Sequence, residues 1–341
     1  MFKWFSVLPG AALLALLLAP MGALGAEDPA SQQAERQQAQ PLNNAPVWRE
    51  VRSGNQAVTQ VRGRETGVLV QPGGETWRQL RNGPITIYGG ILLLAVVAAI
   101  GVFFKLKGPI KVHGKLTGRK ILRLTEWDRA IHWTVAICWV ILGISGLVIL
   151  FGKYVLLPVF GYTLFSWLAI VSKNLHNFTG PLFLISAVAM LVTYFTRNIP
   201  RLYDLHWLAK GGGMLTGEHV PSGFFNAGEK MVYWGGLFLF SVIVGASGLV
   251  MLFPNFDQTR EIMQYSNVIH AVFGVLYVAM MCGHIYLGSV GLEGAYECMR
   301  TDGLVDEQWA KEHHEYWYQE VMARGESQPR PAAGAAAQPQ H

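Results

Sequence analysis

Residues 268–291, VIHAVFGVLYVAMMCGHIYLGSVG, are almost wholly apolar, yet they carry His270 and His284. The run is long enough to cross a bilayer as a helix. At about 100° per residue, the fourteen steps between the two histidines fall roughly 40° short of whole turns, and at about 1.5 Å per residue they rise roughly 21 Å. Both rings therefore share nearly one face and lie near opposite membrane surfaces. An ionisable group inside a spanning helix is costly and marks a functional site by default. Two on one stripe point to two sites stacked across the membrane. A lone histidine in an apolar helix can equally hydrogen-bond a neighbouring helix, so the reading turns on partners at matching depths. Histidine is the usual nitrogen ligand of iron, haem iron included, and a six-coordinate haem requires a second histidine at each level.

The rest of the chain has the composition of an integral membrane protein. Apolar residues make up 51% and charged residues 14% of 341, where soluble domains run to about a quarter charged. The mean hydropathy is +0.28. The net charge of +5 is no nucleic-acid signature, because the basic residues cluster between apolar runs. Cys138, Cys282 and Cys298 form neither CxxC nor CxxCH, which argues against covalent haem and against an iron–sulfur cluster on this chain. Two of them lie in apolar runs and read as structural thiols.

Five apolar runs, approximately 85–104, 130–151, 177–196, 231–253 and 268–291, have spanning length. A sixth patch, 155–171, is interrupted by Pro158 and Gly161 and reads as an interfacial or re-entrant piece. Connection 105–129 holds eight Lys/Arg and connection 197–230 holds four, while the alternate connections hold Lys153 and Lys173 in one and Arg260 in the other. The positive-inside bias puts the two basic connections and the C-terminal tail in the cytoplasm, and the N-terminus outside. The organisation expected is a signal peptide over 1–25, a partly disordered periplasmic segment over 26–83 and an extra transmembrane helix over 84–104. A basic cytoplasmic loop over 105–129, a di-haem membrane domain over 130–293 and a cytoplasmic tail over 294–341 follow.

Depth then pairs the histidines. His176 and His270 open their spans at the outer end, and His132 and His284 lie at the inner ends of theirs. Four histidines give two bis-imidazole sites: His176 with His270 outside, His132 with His284 inside. His176 and His270 are each followed by glycine four residues on, and Gly146 falls at the depth of the outer site. Missing side chains there leave room for a flat macrocycle. Zinc fits less well, since it takes about four ligands and each level offers two. The remaining histidines, at 113, 206, 219, 313, 314 and 341, read as surface or partner-facing.

Several stretches resemble the cytochrome b (gamma) subunit of respiratory formate dehydrogenase. They are 127–134 (WDRAIHWT), 175–180 (LHNFTG), 197–200 (RNIP), 225–231 (FNAGEKM, against the family's NAGQK), 269–271 (IHA), 283–286 (GHIY) and 309–318 (WAKEHHEYWY, against WAKxHHxxWY). The family core has four spans, so the first 120 or so residues, with the extra span, lie outside the resemblance. The fold expected is an all-α integral membrane protein: a di-haem four-helix bundle core plus one extra N-terminal transmembrane helix, five spans after signal removal.

The resemblance implies two non-covalent bis-histidine haems b and a complex in the bacterial inner membrane. A molybdenum or tungsten catalytic (alpha) subunit would oxidise formate, an iron–sulfur (beta) subunit would pass electrons to the outer haem, and the inner haem would reduce menaquinone or ubiquinone near the cytoplasmic face. Residues carried over to the quinone site are Asn226, Gly228, Glu229 and His284, with Glu229 standing where relatives have glutamine. Asn226 with Glu229 three residues on also reads as a helix N-cap. The rival readings are a related cytochrome b serving a hydrogenase or thiosulfate reductase, and, in another class, a histidine-relay transporter or passive anchor.

Overall fold

Apart from residues 52 and 53, the computed structural model describes residues 73–300 and 302–325. The expected signal peptide, the periplasmic segment up to residue 72 and the tail beyond 325, His341 included, lie outside the described residues.

Among the described residues five helices have the length and apolarity to cross a membrane: α1 Gly73–Lys107, α2 Glu126–Val155, α3 Leu157–Tyr194, then, after the short α4 Leu202–Ala209, α5 Ala227–Leu252 and α6 Arg260–Gly291. The chain is thus an all-α, multi-pass membrane protein. Caps set where the spans begin. Thr125 accepts from the Asp128 amide while Asp128 accepts from the Thr125 amide, a reciprocal box that opens α2. Asn226 and Glu229 do the same for α5, at 2.9 and 2.8 Å, and Thr259 accepts from Ile262 N at the start of α6.

The helices pack as two hairpins, α2 with α3 and α5 with α6, laid against each other; α1 lies along α6. Most of the apolar surface of α1 faces outward, with Leu94 74% and Leu106 77% exposed, as lipid contact demands. Its inner face is pinned at three places. Trp77 donates to Asn267 Oδ1 at 3.0 Å, Gly89 and Gly90 sit against Val275 and Phe151, and Phe103 and Phe104 meet the edge of Tyr286.

The patch over 155–171 covers the end of α2 and the first part of α3, which runs to Tyr194 with a break at Gly161, φ 71°. Only glycine takes that left-handed conformation without strain, so the chain turns at the end of the α2–α3 hairpin and then continues as one helix through His176. His176 therefore sits well inside a long helix.

The end of the bundle that carries the basic connections is closed by a folded cap. Strand β1 Lys120–Leu122 pairs antiparallel with β2 Leu304–Asp306, and α7 Glu307–His313 and α8 Glu315–Ala323 follow. Ile121, Leu124, Val305, Trp309, Trp317 and Val321 form its core. The loop and the tail, separate in sequence, thus become one unit, and this corrects the placing of His314 on the surface. The residue is 1% exposed, its ring lies tilted against Trp309 with centres 5.1 Å apart, and Nδ1 donates to Gly223 O at 2.8 Å. Burial, with Arg123 nearby, holds His314 well below the ordinary histidine range.

Candidate functional site

Two cavities lie in the bundle, one above the other, and each receives one of the expected histidine pairs. The first, about 430 Å³, is lined by His176 from α3 and His270 from α6. The second, about 370 Å³, is lined by His132 from α2 and His284 from α6. Both volumes are typical of cofactor-sized sites. Trp139 and Tyr277 line both cavities. Their rings are 5.6 Å apart, so an aromatic pair forms the partition between them.

The ring centres of His176 and His270 are 5.9 Å apart, and those of His132 and His284 are 6.2 Å apart. A ring nitrogen binds a metal at about 2 Å and the ring centre lies roughly 1 Å behind it, so two rings facing one ion stand about 6 Å apart. Both pairs meet that spacing. Among the described residues no group of three or more His, Cys, Asp or Glu is placed to hold a metal ion. The donor set at each level is two imidazoles in a mostly apolar slot, which would suit an iron whose other ligands come from a macrocycle.

Glycines shape the first cavity. A Cβ on Gly146 would come within 3.3 Å of His176 Cε1, and one on Gly248 within 3.2 Å of His270 Cε1. These two let the facing helices approach the rings. A Cβ on Gly180 or Gly274, four residues after each histidine, would meet nothing within 4 Å. Both line the cavity, so the space over them is room for a flat group.

The rings at this level are oriented from behind. Ser145 Oγ lies 2.9 Å from His176 Nδ1, and His270 Nδ1 donates to Val244 O at 2.9 Å with Ser247 Oγ 3.2 Å away. Such partners fix the tautomer and leave Nε2 free to ligate. Sequence reading missed both serines, although a signal was present. Residues 143–151 (GISGLVILF) and 245–253 (GASGLVMLF) agree at seven of nine positions. This repeat places Ser-Gly beside His176 on one hairpin and beside His270 on the other.

The second cavity is built differently. Nδ1 of His132 is buried without a hydrogen-bond partner among the described residues, as is Nη1 of Arg123, which lines the same cavity. Nη2 of Arg123 donates to Glu229 Oε1 at 3.2 Å and Phe224 O at 3.0 Å. The guanidinium is also sandwiched among the rings of Phe224, Trp309 and Trp317, 4.9–5.5 Å from their centres. Of the residues carried over to a quinone site, Glu229 and His284 line this cavity, while Asn226 and Gly228 do not. Asn226 Oδ1 is taken by the Glu229 amide, and Gly228 packs on Trp207.

Helical irregularities lie beside both cavities. Among the described residues three segments have the wider π turn: Arg81–Ile85 in α1, Val232–Phe240 in α5 and Leu287–Gly291 in α6. The first holds Pro84, which has no N–H to give to the helix. Arg81 lines the first cavity, and Val232, Tyr233, Leu237, Gly288 and Ser289 line the second. Such turns re-aim side chains and occur often at functional sites.

Comparison with known proteins gives the family. Residues 123–294 match the family model described as prokaryotic cytochrome b561. The chain is 31% identical over 209 residues to the cytochrome b556 subunit of the nitrate-inducible formate dehydrogenase of Escherichia coli K12, across 60% of this chain and 92% of that subunit. It is 28% identical over 210 residues to the cytochrome b556(fdo) subunit of formate dehydrogenase from the same strain, across 59% of this chain and 93% of that one. The Haemophilus influenzae formate dehydrogenase cytochrome b556 subunit is 26% identical over 214 residues, across 60% and 84%. The matched family segment begins at residue 123, after α1.

Proposed function

Because the chain belongs to the prokaryotic cytochrome b561 family, we propose that it is the membrane-anchoring cytochrome b subunit of a formate dehydrogenase complex, with two haems b. His176 and His270 would hold one haem, and His132 and His284 the other. The observation that carries this reading is that both pairs, separated by up to 152 positions in sequence, meet at iron-bridging distance inside two stacked cavities. When bound, haem supplies reversible one-electron carriage at a potential set by its axial ligands and surroundings.

The chain supplies the rest. Its helices hold each imidazole at a fixed depth, and Ser145 and Val244 O direct Nδ1 away from the cavity. Apolar residues keep water out. With the basic connections in the cytoplasm, the His176–His270 level faces the periplasm, where an iron–sulfur subunit and a molybdenum- or tungsten-containing catalytic subunit would dock. The His132–His284 level faces the cytoplasm and a quinone. Inward movement of one electron against the membrane potential takes about 2.3 kcal/mol per 100 mV, so this orientation conserves energy.

For the quinone, Glu229 and His284 are the residues supported by a shared cavity. Glu229 would take up or release a proton from its place beside Arg123. Asn226, outside that cavity and with its carbonyl oxygen engaged, would fix the start of α5 beside Glu229, and Gly228 would keep the backbone there compact.

Isolation of the intact complex tests the assignment. A reduced-minus-oxidised b-type spectrum, together with a co-purifying molybdenum or tungsten subunit and an iron–sulfur subunit, is the expected result. A nickel–iron subunit in their place would move the chain to a hydrogenase, and a colourless preparation would reject the haem reading.

A further inference from the structure

The helix that precedes the family segment reaches into the first cavity. Arg81 lines it, from the π segment of α1. Lys173 from α3 and Asn267 from α6 line it as well. Lys173 stands three residues before His176 and Asn267 three before His270. Arg81, Lys173 and Asn267 therefore all approach from the N-terminal sides of their helices, and so form a polar rim at one end of a cavity whose other walls are mostly aliphatic, aromatic and glycine residues.

Arg81 is held in place without being neutralised. Its guanidinium donates to Asn82 Oδ1 at 3.1 Å and Ile149 O at 3.3 Å. Among the described residues neither Arg81 nor Lys173 forms an ion pair with a carboxylate. The helix behind Arg81 is fixed at the same end, by Trp77 on Asn267 and by Tyr154 donating to Asn82 O at 3.4 Å. A cation kept at the polar end of an apolar slot lacks an anionic partner, and such a group gains most from a carboxylate delivered by the ligand.

We propose that α1 completes the His176–His270 site, with Arg81, supported by Lys173, pairing with the propionate carboxylates of the bound haem. This rests on the haem assignment above. It gives the extra span a role in the chemistry of the site, beyond anchoring. A positive charge at the propionates opposes the additional charge of ferric iron. Arg81 therefore raises the midpoint potential of this haem and strengthens its retention.

The test is a spectroelectrochemical titration of the purified complex with wild-type chain, Arg81→Gln, Arg81→Lys and the Arg81→Gln/Lys173→Gln pair, alongside haem content. The expected result is a shift of one haem alone toward the ferric form by about three- to tenfold, equivalent to roughly 30–60 mV for one electron. The double variant should shift further or lose that haem, and Arg81→Lys should restore most of the wild-type value. Two haems at wild-type potentials in both glutamine variants, or an equal shift of both haems, would overturn the proposal. A wild-type complex without bis-histidine haem would instead overturn the assignment on which it rests.

Discussion

Ser145 and His176 are joined by a 2.9 Å hydrogen bond whose direction a third group decides. The serine hydroxyl gives its one proton to Ile141 O, at 2.6 Å. Toward the ring it can only accept, so His176 donates from Nδ1 and Nε2 keeps its lone pair. A ring that donates in this way is a more basic ligand, and a more basic ligand favours ferric iron.

Ser145→Ala is expected to raise the potential of one haem by roughly 20–60 mV, which for one electron corresponds to a net hydrogen bond of about 0.5–1.5 kcal/mol. Ser145→Thr keeps the acceptor and should stay near wild type. Ser247→Ala should act in the same direction on the haem that His270 holds, with Val244 O at 2.9 Å left as the ring's acceptor. Redox titration of the b-type absorbance reads all three.

Gly180 and Gly274 face open cavity. Gly180→Leu or Gly274→Leu should leave the helices intact and fill the space, so that the purified complex carries about half the wild-type haem while its helical circular dichroism is unchanged. A pyridine haemochrome assay against protein concentration measures this. Full haem content in both variants would show that the macrocycle does not lie over these positions.

Lys230 and Asp204 form an ion pair of 2.7 Å, 7% and 9% exposed, where α4 meets the start of α5. Removing one partner leaves the other charge buried and uncompensated, at a cost of about 3–5 kcal/mol. Lys230→Met should lower the thermal midpoint of the detergent-solubilised complex sharply, and Lys230→Met/Asp204→Asn should recover part of the loss.

The cap should loosen in acid in two stages. Burial pushes His313 down to about 4 and His314 well below its ordinary value. Between about pH 6.5 and 4 the unfolded chain binds protons that the folded cap does not, so stability falls as pH falls through that window. Burial alone would raise Glu312, but hydrogen bonds from Gln308, His113 and Gly114 outweigh it and hold the carboxyl at about 2. Its contribution, present above about pH 4.5, is lost below that. Proteolysis of the C-terminal segment as a function of pH should show cleavage rising from about pH 6.5 downward. His313→Phe should reduce the first stage.

Much of the membrane architecture was legible because its signals are periodic. Length and apolarity mark the five spans, and two histidines fourteen residues apart locate two levels. What escaped depends on contacts between distant segments. His314 reads as surface from the polar tail around it, and becomes core only when β2 pairs with β1 across the bundle end. Asn226 reads as a quinone ligand and as a cap, and its carbonyl is spent on the cap. The Ser-Gly repeat beside the rings was visible in the sequence, but its meaning required knowing which helix faces which.

The central claim, that four imidazoles hold two irons at two levels, is tested most directly at His270. Purified complex carrying His270→Ala or His270→Met should lose one of two bis-histidine low-spin signals in optical and electron paramagnetic resonance spectra, with the other unchanged. Two undisturbed bis-histidine b haems in either variant would contradict the account.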